Sequence, residues 1–90
     1  MYRIEFTRQY LKDLRIARRR NLDEGKLNDI VRMLCEEKEL PQKHRNHPLS
    51  GPFNGLFECH ITPDWLLIYS RNELIRLITL IWTGTHSDLF

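Results

Sequence analysis

The sequence predicts an α+β fold. Two N-terminal helices pack on one face of a four-stranded, mainly antiparallel sheet in the order β-α-α-β-β-β, followed by a short C-terminal tail or helical turn. Three observations predict it. Apolar residues recur with helical spacing only between residues 8 and 39. The second half holds three apolar-rich extended segments separated by tight turns. With 90 residues, 41% of them hydrophobic, the chain can fill one thin core and no more, so residues 1–90 form a single domain.

Residues 2–6 alternate Tyr2, Ile4 and Phe6 with Arg3 and Glu5, which is a half-buried strand. Thr7 caps the helix predicted over 8–20, where Tyr10, Leu11, Leu14 and Ala17 face inward. Arg8, Lys12, Arg15 and Arg19 share that 3.6-residue period and line another face. Asn21-Leu22-Asp23 breaks the pattern. A second helix is predicted over 24–39, burying Leu27, Ile30, Val31 and Leu34. Glu24 suits its start, while Glu36, Glu37 and Glu39 do not suit the negative end of the helix dipole. Residues 40–53, rich in Pro, His and Gly, read as a long loop, and loops of that length usually carry function or are disordered. Strands over 56–61, 65–71 and 74–82 then form an antiparallel meander through turns at Thr62-Pro63-Asp64 and Asn72-Glu73. Gly84 opens the tail.

Composition excludes several classes. The longest apolar runs fall far short of the ~20 residues a membrane-spanning helix needs. The first residues lack the continuous apolar stretch of a secretory signal. Cys35 and Cys59 form neither a disulfide framework nor a metal motif and read as reduced thiols, so a cytoplasmic protein is expected. No short His spacing supports a metal site, and no cofactor is expected. The net charge of +2 hides an asymmetry. Residues 1–20 hold seven basic side chains (Arg3, Arg8, Lys12, Arg15, Arg18, Arg19, Arg20) against Glu5 and Asp13. Such a basic third points to a polyanion, an acidic partner protein, or both.

All four histidines lie in the second half: His44 and His47 in the long loop, His60 on a strand, His86 in the tail. Alternation puts Leu56, Glu58 and His60 on the sheet face away from the helices, with Phe57, Cys59 and Ile61 toward the core. In a meander the end of the last strand returns beside the start of the middle one. Trp82 and His86 therefore come close to Asp64 and Trp65. Imidazole is suited to proton transfer near neutral pH. Two imidazoles flanking a phosphodiester suffice for metal-free RNA cleavage. One takes the proton of the ribose 2′-OH, which attacks phosphorus, and the other protonates the departing 5′-oxygen. A 2′,3′-cyclic phosphate and a 5′-hydroxyl end result, and DNA, lacking the 2′-OH, cannot react. The residues alone leave plainer readings open. These are a surface role for His44, a structural hydrogen bond for His60, a solvated face for the arginine stripe, and packing roles for Trp65, Tyr69 and Trp82.

Three ordered motifs carry a resemblance: His47-Pro48-Leu49-Ser50-Gly51, the run from His60 to Tyr69 (His60-Ile61-Thr62-Pro63-Asp64-Trp65-Leu66-Leu67-Ile68-Tyr69), and the tail from Thr83 through His86 to Phe90. With their spacing, the chain resembles YafQ-type toxins of the RelE/ParE superfamily of bacterial toxin–antitoxin systems over nearly its whole length. The resemblance implies a RelE-like domain and a ribosome-dependent mRNA endoribonuclease. Such an enzyme works in the A site of the 30S subunit and halts translation. It also implies a ribbon-helix-helix antitoxin as inhibitor, with operator DNA bound only through that complex and no membrane partner.

Carried over by position, His47, His60, Asp64 and His86 match the catalytic set, with Trp65 beside them and Phe90 as the terminal aromatic that stacks on the substrate base. His86 is expected to be the general acid and His47 or His60 the general base. Asp64 would orient or charge-stabilise an imidazole. Ribosome contact would rely on Arg8, Lys12, Arg15 and Arg19 together with Lys43 and Arg45, and would weaken with salt. One departure stands out. Many relatives carry arginine where this chain has Trp82, and Trp82 cannot neutralise a phosphorane. A catalytically weak or inactive toxin that acts by binding protein, or retains only antitoxin binding, is therefore the alternative.

Overall fold

A computed structural model describes residues 1–89. Strand β1 (Arg3–Phe6) leads into helices α1 (Arg8–Arg19) and α2 (Glu24–Cys35). A two-residue strand β2 (His47–Pro48), strands β3 (Phe57–Thr62), β4 (Trp65–Asn72) and β5 (Leu77–Gly84), and the short helix α3 (His86–Leu89) follow. The sheet has five strands in the order β1-β5-β4-β3-β2. The α+β class and the antiparallel meander are as the sequence predicts, but the four-strand expectation misses β2. The pairing of β1 with β5 is parallel, the one departure from antiparallel pairing.

Local chemistry sets the helix ends. The Thr7 hydroxyl accepts the Tyr10 N–H at 3.0 Å, and Asp23 accepts the Gly25 N–H at 3.0 Å. Both helices stop in Schellman turns. After α1, Leu22 N–H donates to Ala17 O and Asn21 N–H to Arg18 O, with Asn21 at φ 57°. After α2, Lys38 N–H donates to Met33 O and Glu37 N–H to Leu34 O, with Glu37 at φ 61°. Thus α2 ends four residues before the predicted Glu39. The three glutamates that disagreed with the dipole lie beyond the helix. Strand β5 begins at Leu77 rather than 74 because the Asn72 side chain accepts the N–H groups of Leu74 and Ile75, holding a longer turn.

One sheet face packs against the helices. Cys59, Ile61, Trp65, Leu67, Tyr69, Ile78 and Leu80 meet Tyr10, Ala17, Leu27, Ile30 and Leu34 in a single core. Leu11, expected inside, is largely exposed. The opposite face is not bare as expected: Leu66 and Ile68 are fully buried there. A bulge explains part of this. Ile68 pairs with Trp82 but Tyr69 pairs with Leu80, so the extra residue Ile81 turns Trp82 onto the same face as Ile68. Phe53, from a 3₁₀ turn at Gly51–Phe53, meets the Trp82 ring edge-on at 6.1 Å.

The loop over 40–53 is therefore ordered, and side chains anchor it. His44 Nδ1–H donates to His60 O at 2.6 Å, which gives His44 a structural role. The buried Tyr69 hydroxyl donates to Asn46 Oδ1 at 2.6 Å, and burial pushes that phenol up to about 12. Replacing Asn46 by alanine strands this hydroxyl. The expected cost is about 1–3 kcal/mol, measured as a lower urea midpoint, and it should largely vanish in a Tyr69→Phe background.

Candidate active site

Cross-strand register builds the site. Residues opposite one another in an antiparallel pair project from the same face. Glu58 pairs with His47 on one side and Ile68 on the other, and Ile68 pairs with Trp82. Two residues along β3, His60 pairs with Leu66, which pairs with Gly84. The outer face thus carries His47-Glu58-Ile68-Trp82 in one row and His60-Leu66-Gly84 in the next. The chain leaves the second row at Gly84 and enters α3 two residues later, at His86.

The imidazoles meet there. His47 Nε2 lies 3.6 Å from Glu58 Oε1, and His60 Nε2 lies 3.7 Å from the same oxygen. The ring of His86 is 6.0 Å from that of His60, tilted by 52°. Hydrogen bonds orient both inner rings. His47 Nδ1–H donates to Arg45 O at 2.6 Å, and His60 Nδ1–H to Pro63 O at 3.4 Å. A carbonyl oxygen only accepts, so each Nδ1 carries a proton and each Nε2 is left to exchange one. Arg45 adopts φ 44°, a left-handed turn that directs its carbonyl to His47 two residues on.

Glu58 is the residue that sequence reasoning passed over. Its side chain is only 8% exposed, on the face away from the core, with an imidazole on either side. The signal was present in its i, i+2 relation to His60. The carboxylate sought for the site was Asp64 at the adjacent turn, and Glu58 was left without a role.

The other expected site residues divide. Asp64 is exposed at the β3–β4 turn, and its carboxylate acts on Arg20. The Arg20 guanidinium is raised first by the hydrogen bond and charge of Asp88 and last by Asp64. Trp65 does not stack on substrate: it is 2% exposed, sharing the core face of β4 with Leu67 and Tyr69. Arg8, Lys12, Arg15 and Arg19 are all exposed on α1, and Lys43 and Arg45 are exposed in the anchored loop. Phe90 lies outside the described residues. Among those residues no group of three or more His, Cys, Asp or Glu side chains is arranged to hold a metal ion. Among the described residues no helix is long and apolar enough to cross a membrane. Both cysteines are free, and burial pushes the Cys59 thiol up to about 12.

The tail is tied down by charge. Asp88 pairs with Arg20 at 2.8 Å and caps Thr85, and these hydrogen bonds, that of Arg20 foremost, hold its carboxyl at about 2, against 3.8 ordinarily. A depressed carboxyl stabilises the docked tail fully above its unfolded value, and that stabilisation is lost as pH falls through about 2. A carboxyl-carbon NMR titration should therefore place the Asp88 midpoint near 2. A midpoint near 3.8 would show the contacts absent in solution.

Comparison with known proteins gives the family and the fold. The family described as a bacterial toxin of type II toxin–antitoxin systems, YafQ, matches residues 2–90. The mRNA interferase toxin YafQ of Escherichia coli K12 is 38% identical over 88 residues, spanning 97% of this chain and 94% of that protein. The E. coli DinJ–YafQ complex contains a chain 34% identical with TM-score 0.90, covering 100% of this chain and 99% of that one. A metal-bound toxin from Helicobacter pylori is 36% identical with TM-score 0.94 over 100% of both chains. The match across almost the whole length, with both helices and the imidazole-bearing segments inside it, places this chain in the YafQ family of type II toxin–antitoxin toxins.

Proposed function

We propose that the chain is an mRNA interferase, a ribosome-dependent endoribonuclease that cuts translated mRNA without a metal and is held inactive by a ribbon-helix-helix antitoxin. The observation that carries the reading is the meeting of three imidazoles and one carboxylate on a single rim of the sheet. Supporting it, the related E. coli toxin is named an mRNA interferase, and a related chain forms a complex with DinJ.

His60 and His86 flank the scissile phosphate. Nε2 of His60 takes the proton of the 2′-OH, and the 2′-oxygen attacks phosphorus. The bond from phosphorus to the 5′-oxygen breaks, and His86 supplies the proton that the leaving oxygen needs. Glu58 faces the protonated His60 ring and favours its charge, and His47 shares that carboxylate from the other side. The products are a 2′,3′-cyclic phosphate and a 5′-hydroxyl end. The basic stripe of α1, with Lys43 and Arg45, contacts ribosomal RNA. Phosphate charge that the Trp82 position does not neutralise is met by a protonated imidazole.

Inducible expression with mapping of mRNA 5′ ends tests the proposal. Cuts inside translated codons, bearing 5′-hydroxyl ends and unaffected in a purified translation system by 1,10-phenanthroline, which takes transition metals but leaves the ribosomes their Mg²⁺, support it. Growth arrest with intact transcripts would instead favour a toxin that acts by binding protein. Loss of cutting with that chelator would overturn the metal-free chemistry, a relevant control because a related toxin is metal-bound.

A further inference from the structure

Arg20 lies outside the imidazole cluster, yet it is the residue through which α1's C-terminal end reaches the tail. Its guanidinium engages both oxygens of Asp88, Nη1 donating to Oδ2 at 2.8 Å and Nη2 to Oδ1 at 3.4 Å. Asp88 also closes a reciprocal cap with Thr85. The Thr85 N–H donates to Asp88 Oδ2 at 3.0 Å, and the Asp88 N–H donates to Thr85 Oγ1 at 3.2 Å. The corner is tight, since a methyl group on Gly84 would lie 3.2 Å from the Asp88 Cβ. A second tie comes just before it. Asp13 of α1 accepts the Thr83 N–H at 3.1 Å and is itself steadied by Gln9 at 2.9 Å. The Thr83 hydroxyl donates to Leu66 O at 2.7 Å.

His86 lies in sequence between these two ties. A four-residue helix cannot hold its own shape in water, since isolated helices well beyond that length are marginal. The direction of the exposed His86 ring therefore depends on what holds α3 from outside. The Thr85 cap keeps the turn closed on itself. Among the described residues, the Arg20 pair is the side-chain tie that joins the end of that turn to the end of α1.

We propose that Arg20 is a positioning residue, which clamps Asp88 and so fixes α3 with the His86 imidazole facing His60. The inference rests on the reading of His86 as proton donor. Arg20 acts through Asp88, with which it makes its two hydrogen bonds, and not on the reacting atoms. An exposed ion pair adds little to global stability, so its removal leaves the fold intact while the ring loses its aim. Misplacing a reacting group by as little as an ångström costs about a hundredfold in rate.

The test compares wild type with Arg20→Gln, Arg20→Lys and Asp88→Asn in two measurements. One is NMR cross-relaxation between the ring protons of His86 and His60. The other is single-turnover cleavage on programmed ribosomes, resolved into the rate at saturation and the half-saturating concentration. Arg20→Gln is expected to lose the ring-to-ring signal and to cut about ten- to a hundredfold more slowly at saturation. Its half-saturating concentration and urea midpoint should not change. Arg20→Lys restores part of both losses, and Asp88→Asn repeats the glutamine result. Retention of the ring signal in Arg20→Gln, or cleavage at the wild-type rate, overturns the proposal. So does a loss confined to the half-saturating concentration, which would mean that Arg20 contacts the ribosome directly. If the wild type does not cut at all, the nuclease reading fails, and the ring signal alone then upholds or overturns the clamp.

Discussion

His86→Ala is expected to slow single-turnover cleavage by about 10²–10⁴-fold, the usual contribution of a positioned general acid. The alkoxide leaving the phosphorus is a poor leaving group unless it receives a proton as the bond breaks. His86 comes from a separate element, and its ring centre lies 6.0 Å from that of His60, at the same rim of the sheet. Its exposure means that removing the ring leaves no cavity in the core, so the urea midpoint should stay near the wild-type value. Binding to programmed ribosomes should also persist, because the basic face of α1 is untouched. Two further observations make the result specific to proton donation. Added free imidazole should recover part of the lost rate in His86→Ala. An RNA carrying a sulfur leaving atom at the scissile position, which needs no protonation, should be cut almost equally by variant and wild type. Cleavage by His86→Ala within tenfold of wild type would remove this ring from the chemistry.

Much of this was legible in the sequence, and the gaps have physical reasons. Periodicity placed α1, α2 and the meander because each buries a continuous apolar stripe. The end of α2 was misplaced because Glu37 takes a left-handed conformation that glycine or asparagine normally marks. Strand β2 was invisible because two residues, one of them proline, carry no period. It exists because His47 and Pro48 complete the edge of β3. Trp82 was assigned to packing correctly, but the face it packs on depends on the extra residue Ile81, and a bulge leaves no mark in an apolar run. Trp65 was judged by its neighbour Asp64 rather than by its phase with Leu67 and Tyr69, which puts it in the core. Topology alone brought the tail with His86 toward the rim that carries His60, and the structure puts those two rings 6.0 Å apart. His47 was added by resemblance, and the carboxylate between its ring and that of His60 is Glu58 rather than Asp64.

Glu58→Gln is expected to lower cleavage by about a hundredfold while leaving the urea midpoint at or above the wild-type value. The two effects have one origin. A carboxylate only 8% exposed has given up most of its hydration. Its compensation is two imidazole Nε2 atoms at 3.6 and 3.7 Å, close enough for charge to act and too long for hydrogen bonds. Burying a charge on those terms costs folding free energy. Glutamine fills the same space without that cost. The carboxylate repays its burial during the reaction, when His60 gains the 2′-OH proton and becomes a cation beside it. Glutamine cannot offer that charge, so the barrier rises although the geometry is kept. Glu58→Asp retains the charge but withdraws it by one methylene, and should cut at a rate between those of glutamine and wild type. Its fold should be weaker because the shortened side chain leaves a gap. Chemical unfolding and single-turnover cleavage measured on the same three proteins decide the matter. Opposed movement of stability and rate in the glutamine variant identifies Glu58 as an electrostatic partner of the base. Parallel loss of both would reduce it to a packing residue and leave His60 without a charged neighbour in the transition state.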